Sequence, residues 1–129
     1  MPIIDHISLS VTDLDRAKAF YLKALAPLGI GVALEIPKSV TGDKDIIGIG
    51  KNHKGELWLT QNGLQRPPTH IAFLAESRAD VDAFHAAAIA AGGTDNGAPG
   101  VRPHYHADYY GAFVLDPDGH NIEAVCHRA

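Results

Sequence analysis

A chain of 129 residues, 46% hydrophobic and 20% charged, has the composition of a globular protein long enough to bury a core. A formal net charge of -4 excludes the basic footprint of a nucleic-acid binder, and no apolar run approaches the roughly 18 residues of a membrane span. A single cysteine, Cys126, rules out an intrachain disulfide; with no signal-peptide pattern at the start, the expected setting is cytoplasmic.

In chain order, Ile7, Leu9 and Val11 alternate with His6, Ser8 and Ser10, the period of a half-buried strand. Thr12-Asp13-Leu14-Asp15 sets a hydroxyl three residues before a carboxylate, which predicts a helix start capped by Thr12. Leu14, Ala17, Phe20, Tyr21, Ala24 and Leu25 then follow at helical spacing until Gly29 ends the run. Strands are predicted over residues 32–36, 45–50 and 56–61, and 65–68 reads as a linker. His70-Ile71-Ala72-Phe73 opens a second strand–helix pattern, with a cap at Ser77, apolar positions Val81, Phe84, Ala88 and Ile89, and a stop at Gly92-Gly93. A strand near Thr94 precedes a Gly/Pro-rich segment, 96–108, predicted as a loop over one face. Strands over 110–115 and 121–126 close the chain, joined by the tight turn Asp116-Pro117-Asp118-Gly119.

The two halves are one pattern written twice. Placing His6 over His70 without a gap also aligns Ala19 with Ala83, Phe20 with Phe84 and Gly29 with Gly93. The predicted fold is α+β: two βαβββ modules, about 1–64 and 68–129, in one domain, curling a mixed sheet around a cleft with the helices outside. If the apolar strand positions pack under the helices, the opposite parity faces the cleft. That rule turns inward His6, Ser8 and Ser10; Glu56, Trp58 and Thr60; His70, Ala72 and Leu74; and Asn121, Glu123 and Val125. Two histidines at repeat-equivalent positions plus a carboxylate form a ligand set for one divalent metal: Zn, Ni, Mn, Fe or Co. The segment His104-Tyr105-His106 with Tyr110 supplies candidate substrate-gripping and acid–base groups, and Trp58 is read as cleft wall or stacking platform. His53, His85 and His127 read as surface residues, and Cys126 as buried and inert.

Asp5-His6-Ile7-Ser8-Leu9-Ser10-Val11 with Asp13-Leu14-Asp15-Arg16-Ala17 and Phe20-Tyr21 resembles the opening of the vicinal oxygen chelate superfamily, which includes glyoxalase I, bleomycin-resistance proteins and extradiol dioxygenases. His70-Ile71-Ala72-Phe73 and Asp116-Pro117-Asp118-Gly119-His120-Asn121-Ile122-Glu123 resemble its second-half signatures. The resemblance implies paired modules, a homodimer in many members, and a metal chelating two neighbouring substrate oxygens. It assigns the metal to His6, His70 and Glu123, with Glu123 also a candidate catalytic base. Trp58 stands where glyoxalase I carries a further carboxylate, so Glu56 replaces that ligand only if its strand shifts or bulges; Ser10 stands where a glutathione-binding arginine is common. The function implied is a metal-dependent, glyoxalase- or dioxygenase-like enzyme, a lyase or isomerase before a ring-cleaving enzyme. It would act on a small molecule with adjacent oxygens by Lewis-acid stabilisation of an enolate. The alternative is a metal-free protein that binds and sequesters a drug-like or aromatic compound.

Overall fold

A computed structural model describes residues 3–43 and 45–129. The order is β1 (Ile7–Val11), α1 (Leu14–Leu25), β2 (Gly31–Ile36), α2 (Lys38–Thr41), β3 (Ile46–Gly50), β4 (Leu57–Gln61), β5 (His70–Leu74), α3 (Arg78–Ala90), β6 (Thr94–Val101), β7 (Tyr110–Leu115) and β8 (Asn121–Cys126). Two mixed four-stranded sheets result, ordered β1-β4-β3-β2 and β5-β8-β7-β6, so the repeat in sequence is a repeat in topology. In each, the strand that opens the module runs parallel to the strand that closes it, and the remaining neighbours are antiparallel. The sheets are curled and not closed, with α1 and α3 on the outer side.

The alternation that predicts the strands also sorts their faces. Leu9, Val11, Ile47, Ile49, Leu57 and Leu59 are buried in the first sheet; Ile71, Ala112, Val114, Ile122, Ala124 and Cys126 in the second. These meet Phe20, Tyr21, Ala24 and Leu25 of α1 and Val81, Phe84 and Ala88 of α3 in one hydrophobic cluster. Burying a Phe or Leu is worth about 1.5–3 kcal/mol. The helix-facing parity is therefore fixed, and the other parity is left for the cleft.

Three local expectations are corrected. The cap of α1 is Asp13, whose carboxylate accepts from Arg16 N–H at 3.1 Å, because Thr12 is held by Asp118 instead. The segment expected to be loop from 96 begins as strand, since β6 continues to Val101. As an edge strand with two register shifts, at Asp95/Gly97 and Gly97/Gly100, β6 accommodates Pro99 and its glycines where a central strand would not. The short helix α2, between Pro37 and Gly42, adds a turn that the strand periodicity did not signal.

The halves are clasped by the β7–β8 turn. Asp116 is buried, and its Oδ1 accepts from the backbone of Asp118 and His120 while its Oδ2 accepts from the Tyr21 hydroxyl of α1 at 2.5 Å. Asp118 accepts from Thr12 N–H at 3.0 Å, from the Thr12 hydroxyl at 2.5 Å and from Arg16 at 3.2 Å. His120, fully buried, accepts the Thr69 N–H on Nδ1 at 2.9 Å, so its proton lies on Nε2 and is donated to the Ser10 carbonyl at 3.2 Å. That bond, with Gln65 accepting from Ser10 N–H, covers part of the outer edge of β1.

Candidate functional site

On the concave face of the second sheet the ladder register sets Ala72, Glu123, Phe113 and Gly97 in one cross-strand row. Glu123 is only 1% exposed. Its Oε1 lies 3.1 Å from His70 Nε2, and its Oε2 accepts from the Tyr109 hydroxyl. His70 Nδ1 lies 3.0 Å from the Asn121 carbonyl, which can only accept, so in the neutral ring Nδ1 carries the proton. Nε2 and Oε1 are then two acceptors at hydrogen-bond distance, and something positive belongs between them, a proton or a metal ion. Two ligands about 2.1 Å from one ion and at right angles stand about 3 Å apart, so the pair fits two adjacent positions of a metal. Gly111 leaves room beside them: a Cβ there would press on Glu123 Oε2 at 3.1 Å and on the Tyr109 ring at 3.2 Å.

Burial, and then the bond to Glu123, push the Tyr109 phenol well above its ordinary value, so it stays a donor at neutral pH. Around it gathers the segment singled out in the sequence. Tyr105 meets Tyr109 edge-on at 4.8 Å, His104 packs on Tyr105, and His106 Nε2 lies 2.8 Å from His127 Nδ1. His104, Tyr105 and His106 are exposed on the surface. Tyr110 is turned the other way. It pairs with Cys126 on the helix-facing parity, its hydroxyl donates to Asp82 at 2.6 Å, and Arg78 lies over its ring, which takes Tyr110 out of the cleft. Sequence reading passed over Tyr109, although the same parity rule, applied to β7, withdraws Tyr110 from consideration.

The first sheet presents a second histidine. His6 Nδ1 lies 2.7 Å from Asp5 Oδ2, and Lys54 Nζ is 3.0 Å from Asp5 Oδ1. These two hold the Asp5 carboxyl below its usual range, the His6 bond first. His6 is thus oriented by a carboxylate with Nε2 directed away, the arrangement that prepares an imidazole for a metal. Within one chain, however, it does not join His70 and Glu123: no three His, Cys, Asp or Glu side chains gather closely enough to hold an ion among the described residues. Glu56 is exposed on the side of the cavity, and β4 from Leu57 onward keeps an unbroken register with both neighbours, so no bulge within β4 moves Glu56 to the place of Trp58. Ser8 is exposed on the same face beside its ladder partner Trp58. The Trp58 ring lies flat where a Cβ on Gly48 or Gly55 would strike it at 2.7 and 2.5 Å. Alongside, a cavity of about 590 Å³ is lined by Ile3, Ile4, Asp5, Ile7 and Lys54 from the first half and Ile71 to Phe73 from the second.

Residues 3–124 match the family model of the glyoxalase/bleomycin resistance protein/dioxygenase superfamily. Among solved structures, a glyoxalase/bleomycin resistance protein from Albidiferax ferrireducens T118 is 33% identical, with 97% of this chain and 99% of that one covered and a TM-score of 0.78. Two more distant structures share the fold alone. Glyoxalase I from Zea mays is 23% identical over 95% of this chain and 45% of its own, at a TM-score of 0.72. The fosfomycin resistance protein FosX from Listeria monocytogenes, complexed with Mn(II) and sulfate, is 17% identical over 98% and 93%, at 0.69.

Proposed function

The chain belongs to the glyoxalase/bleomycin resistance protein/dioxygenase superfamily, and from that premise we propose that it is a metal-dependent, glyoxalase-like enzyme acting on a small molecule with adjacent oxygens. The observation that carries this reading is the facing pair His70 Nε2 and Glu123 Oε1, 3.1 Å apart and both acceptors in the neutral ring. His70, Glu123 and a His6 supplied by a second copy of the chain would hold one divalent ion. When bound, the ion supplies Lewis acidity to two neighbouring substrate oxygens, an effect worth several kcal/mol of charge stabilisation. The chain's own groups do the rest. Asn121 fixes the His70 tautomer, Tyr109 holds the second oxygen of Glu123, and the apolar faces beneath keep water from the buried carboxylate. Glu123 serves as ligand and, on release, as base.

Elemental analysis of protein purified without added metal, together with titration of stripped protein, tests the proposal. The expected result is about one ion per site, held at the His70–Glu123 pair. Glu123→Gln and His70→Ala should lower metal affinity at least tenfold, with Glu123→Gln keeping the fold. Protein that arrives metal-free and whose melting ignores Zn²⁺, Ni²⁺, Mn²⁺, Fe²⁺ and Co²⁺ would end it.

One observation favours the second reading, metal-free sequestration of an aromatic compound: Trp58 is laid flat on the concave face in a trough of glycines. In that case ligand binding survives His6→Ala and His70→Ala and is lost with Trp58→Ala.

A further inference from the structure

The second concave face carries a guanidinium that no acidic side chain answers. Arg102 makes no ion pair among the described residues; its Nη2 donates to the Ala98 carbonyl at 2.7 Å, and its Cζ lies 5.5 Å from the centre of the Phe113 ring. Phe113 in turn stacks on His70, with centroids 6.1 Å apart and planes 25° off parallel. Two glycines make the space. A Cβ on Gly97 would come within 3.3 Å of Arg102 Nη2, and one on Gly100 within 3.1 Å of Nη1. Both belong to β6, the edge strand that bulges at these residues. Arg102 is therefore seated, half-buried, on the face that presents Glu123 and His70, one aromatic ring away from them.

We propose that Arg102 is the anchor for a distal oxyanion on the substrate, so that the compound carries adjacent oxygens at one end and an anionic group at the other. The assignment rests on the reading of His70 and Glu123 as the chelating end. One arm of the fork is fixed by Ala98, which sets the plane of the guanidinium and leaves its remaining N–H groups for a bidentate partner. Phe113 is the ring shared by the two ends, 5.5 Å from the Arg102 Cζ and 6.1 Å from the centre of the His70 ring. That spacing suits a substrate with a short chain between the chelating oxygens and the anion.

Matched ligands on the protein as purified with its metal test this. α-Hydroxyglutarate is compared with α-hydroxyvalerate, and α-hydroxyadipate with α-hydroxycaproate, each pair differing at the distal carboxylate, by calorimetry. The dicarboxylates are expected to bind about tenfold more tightly or better. That preference should vanish in Arg102→Gln while the affinity for the monocarboxylates and the metal content stay unchanged. Gly100→Ala, which crowds Nη1 without a strained backbone, should cut the preference severalfold and keeps the test open if Arg102→Gln does not fold. Phosphoglycerate against glycerate separates the sources: a larger, Arg102-dependent preference there identifies the anion as phosphate. Equal affinities within every pair, or a preference that survives Arg102→Gln, overturns the proposal. A preference that depends on Arg102 in protein that takes up no metal upholds the anchor and defeats the chelation reading.

Discussion

Tyr21 shows how much one side chain can carry in a small core. It is fully buried between α1 and the β7–β8 turn, edge-on to Phe20 at 5.1 Å, and its hydroxyl donates to Asp116. Burial first, and then the neighbouring Asp116 charge, push the phenol well above 10. An acid whose folded pKa is raised is held neutral by the fold, so its stabilisation is whole below about pH 10 and is lost as pH rises through the folded value. Melting temperature should therefore fall as the solution passes about pH 10, and more steeply in the wild type than in Tyr21→Phe. At neutral pH Tyr21→Phe leaves Asp116 short of a donor and should cost about 1–3 kcal/mol by urea unfolding. Equal alkaline slopes in the two proteins would show that this phenol does not govern the loss. Glu123 is also buried, but its partners are a phenol and an imidazole that reaches solvent. Asp116, besides its phenol, is answered by the backbone N–H groups of Asp118 and His120.

Among the elements, the β7–β8 turn does more than reverse the chain. Asp116-Pro117-Asp118-Gly119 is legible as a turn from residue type alone, because Pro and Gly fix its backbone. Its second role is not legible, since Asp118 reaches Thr12 across 106 positions of sequence. The same distance explains why the cap of α1 passes from Thr12 to Asp13: a long-range carboxylate outcompetes the local use of the hydroxyl. Strand bounds in the second half were readable to the residue over 110–115 and 121–126, where apolar-rich segments flank the Asp116–Gly119 turn, and failed at β6, where glycines, a proline and bulges interrupt the strand. Magnitudes separate the parts of the clasp. The Arg16 side chain is half exposed, and its ion pair with Asp118 is worth about 0–1 kcal/mol. Asp118 is nearly buried and satisfies the Thr12 N–H and hydroxyl, so removing it strands a backbone donor. Arg16→Ala should cost about 0.5 kcal/mol and Asp118→Ala about 2–3 kcal/mol in equilibrium unfolding. Similar losses from the two would mean that the ion pair, and not the satisfied backbone, holds the turn.

For the molecule as a whole, the two sheets repeat one topology, and each brings one histidine to the start of its opening strand, each with Nδ1 tied to an acceptor. The cleft-facing parity was readable because Leu9, Val11, Leu57, Leu59, Ile122 and Ala124 mark the helix-facing positions of the paired strands; the distance between half-sites was not, because period-two patterning says nothing of how two sheets sit. His6, Ser8 and Glu56 on one concave face, and His70, Ala72 and Leu74 on the other, are exposed in a single chain, with Leu74 at 65%. A second copy that brings its first sheet against the second sheet of this one would cover those faces and deliver His6 to His70 and Glu123, a twofold arrangement that makes two sites at once. Mixing distinguishes this from a site closed within the chain. In a shared site, a dimer of one His6→Ala and one Glu123→Ala chain has one centre with every ligand and one lacking both. Equal amounts allowed to exchange subunits should therefore recover about a quarter of the wild-type tight metal sites, where neither variant alone holds metal tightly. A site built within one chain recovers none, because every chain in the mixture is missing a ligand.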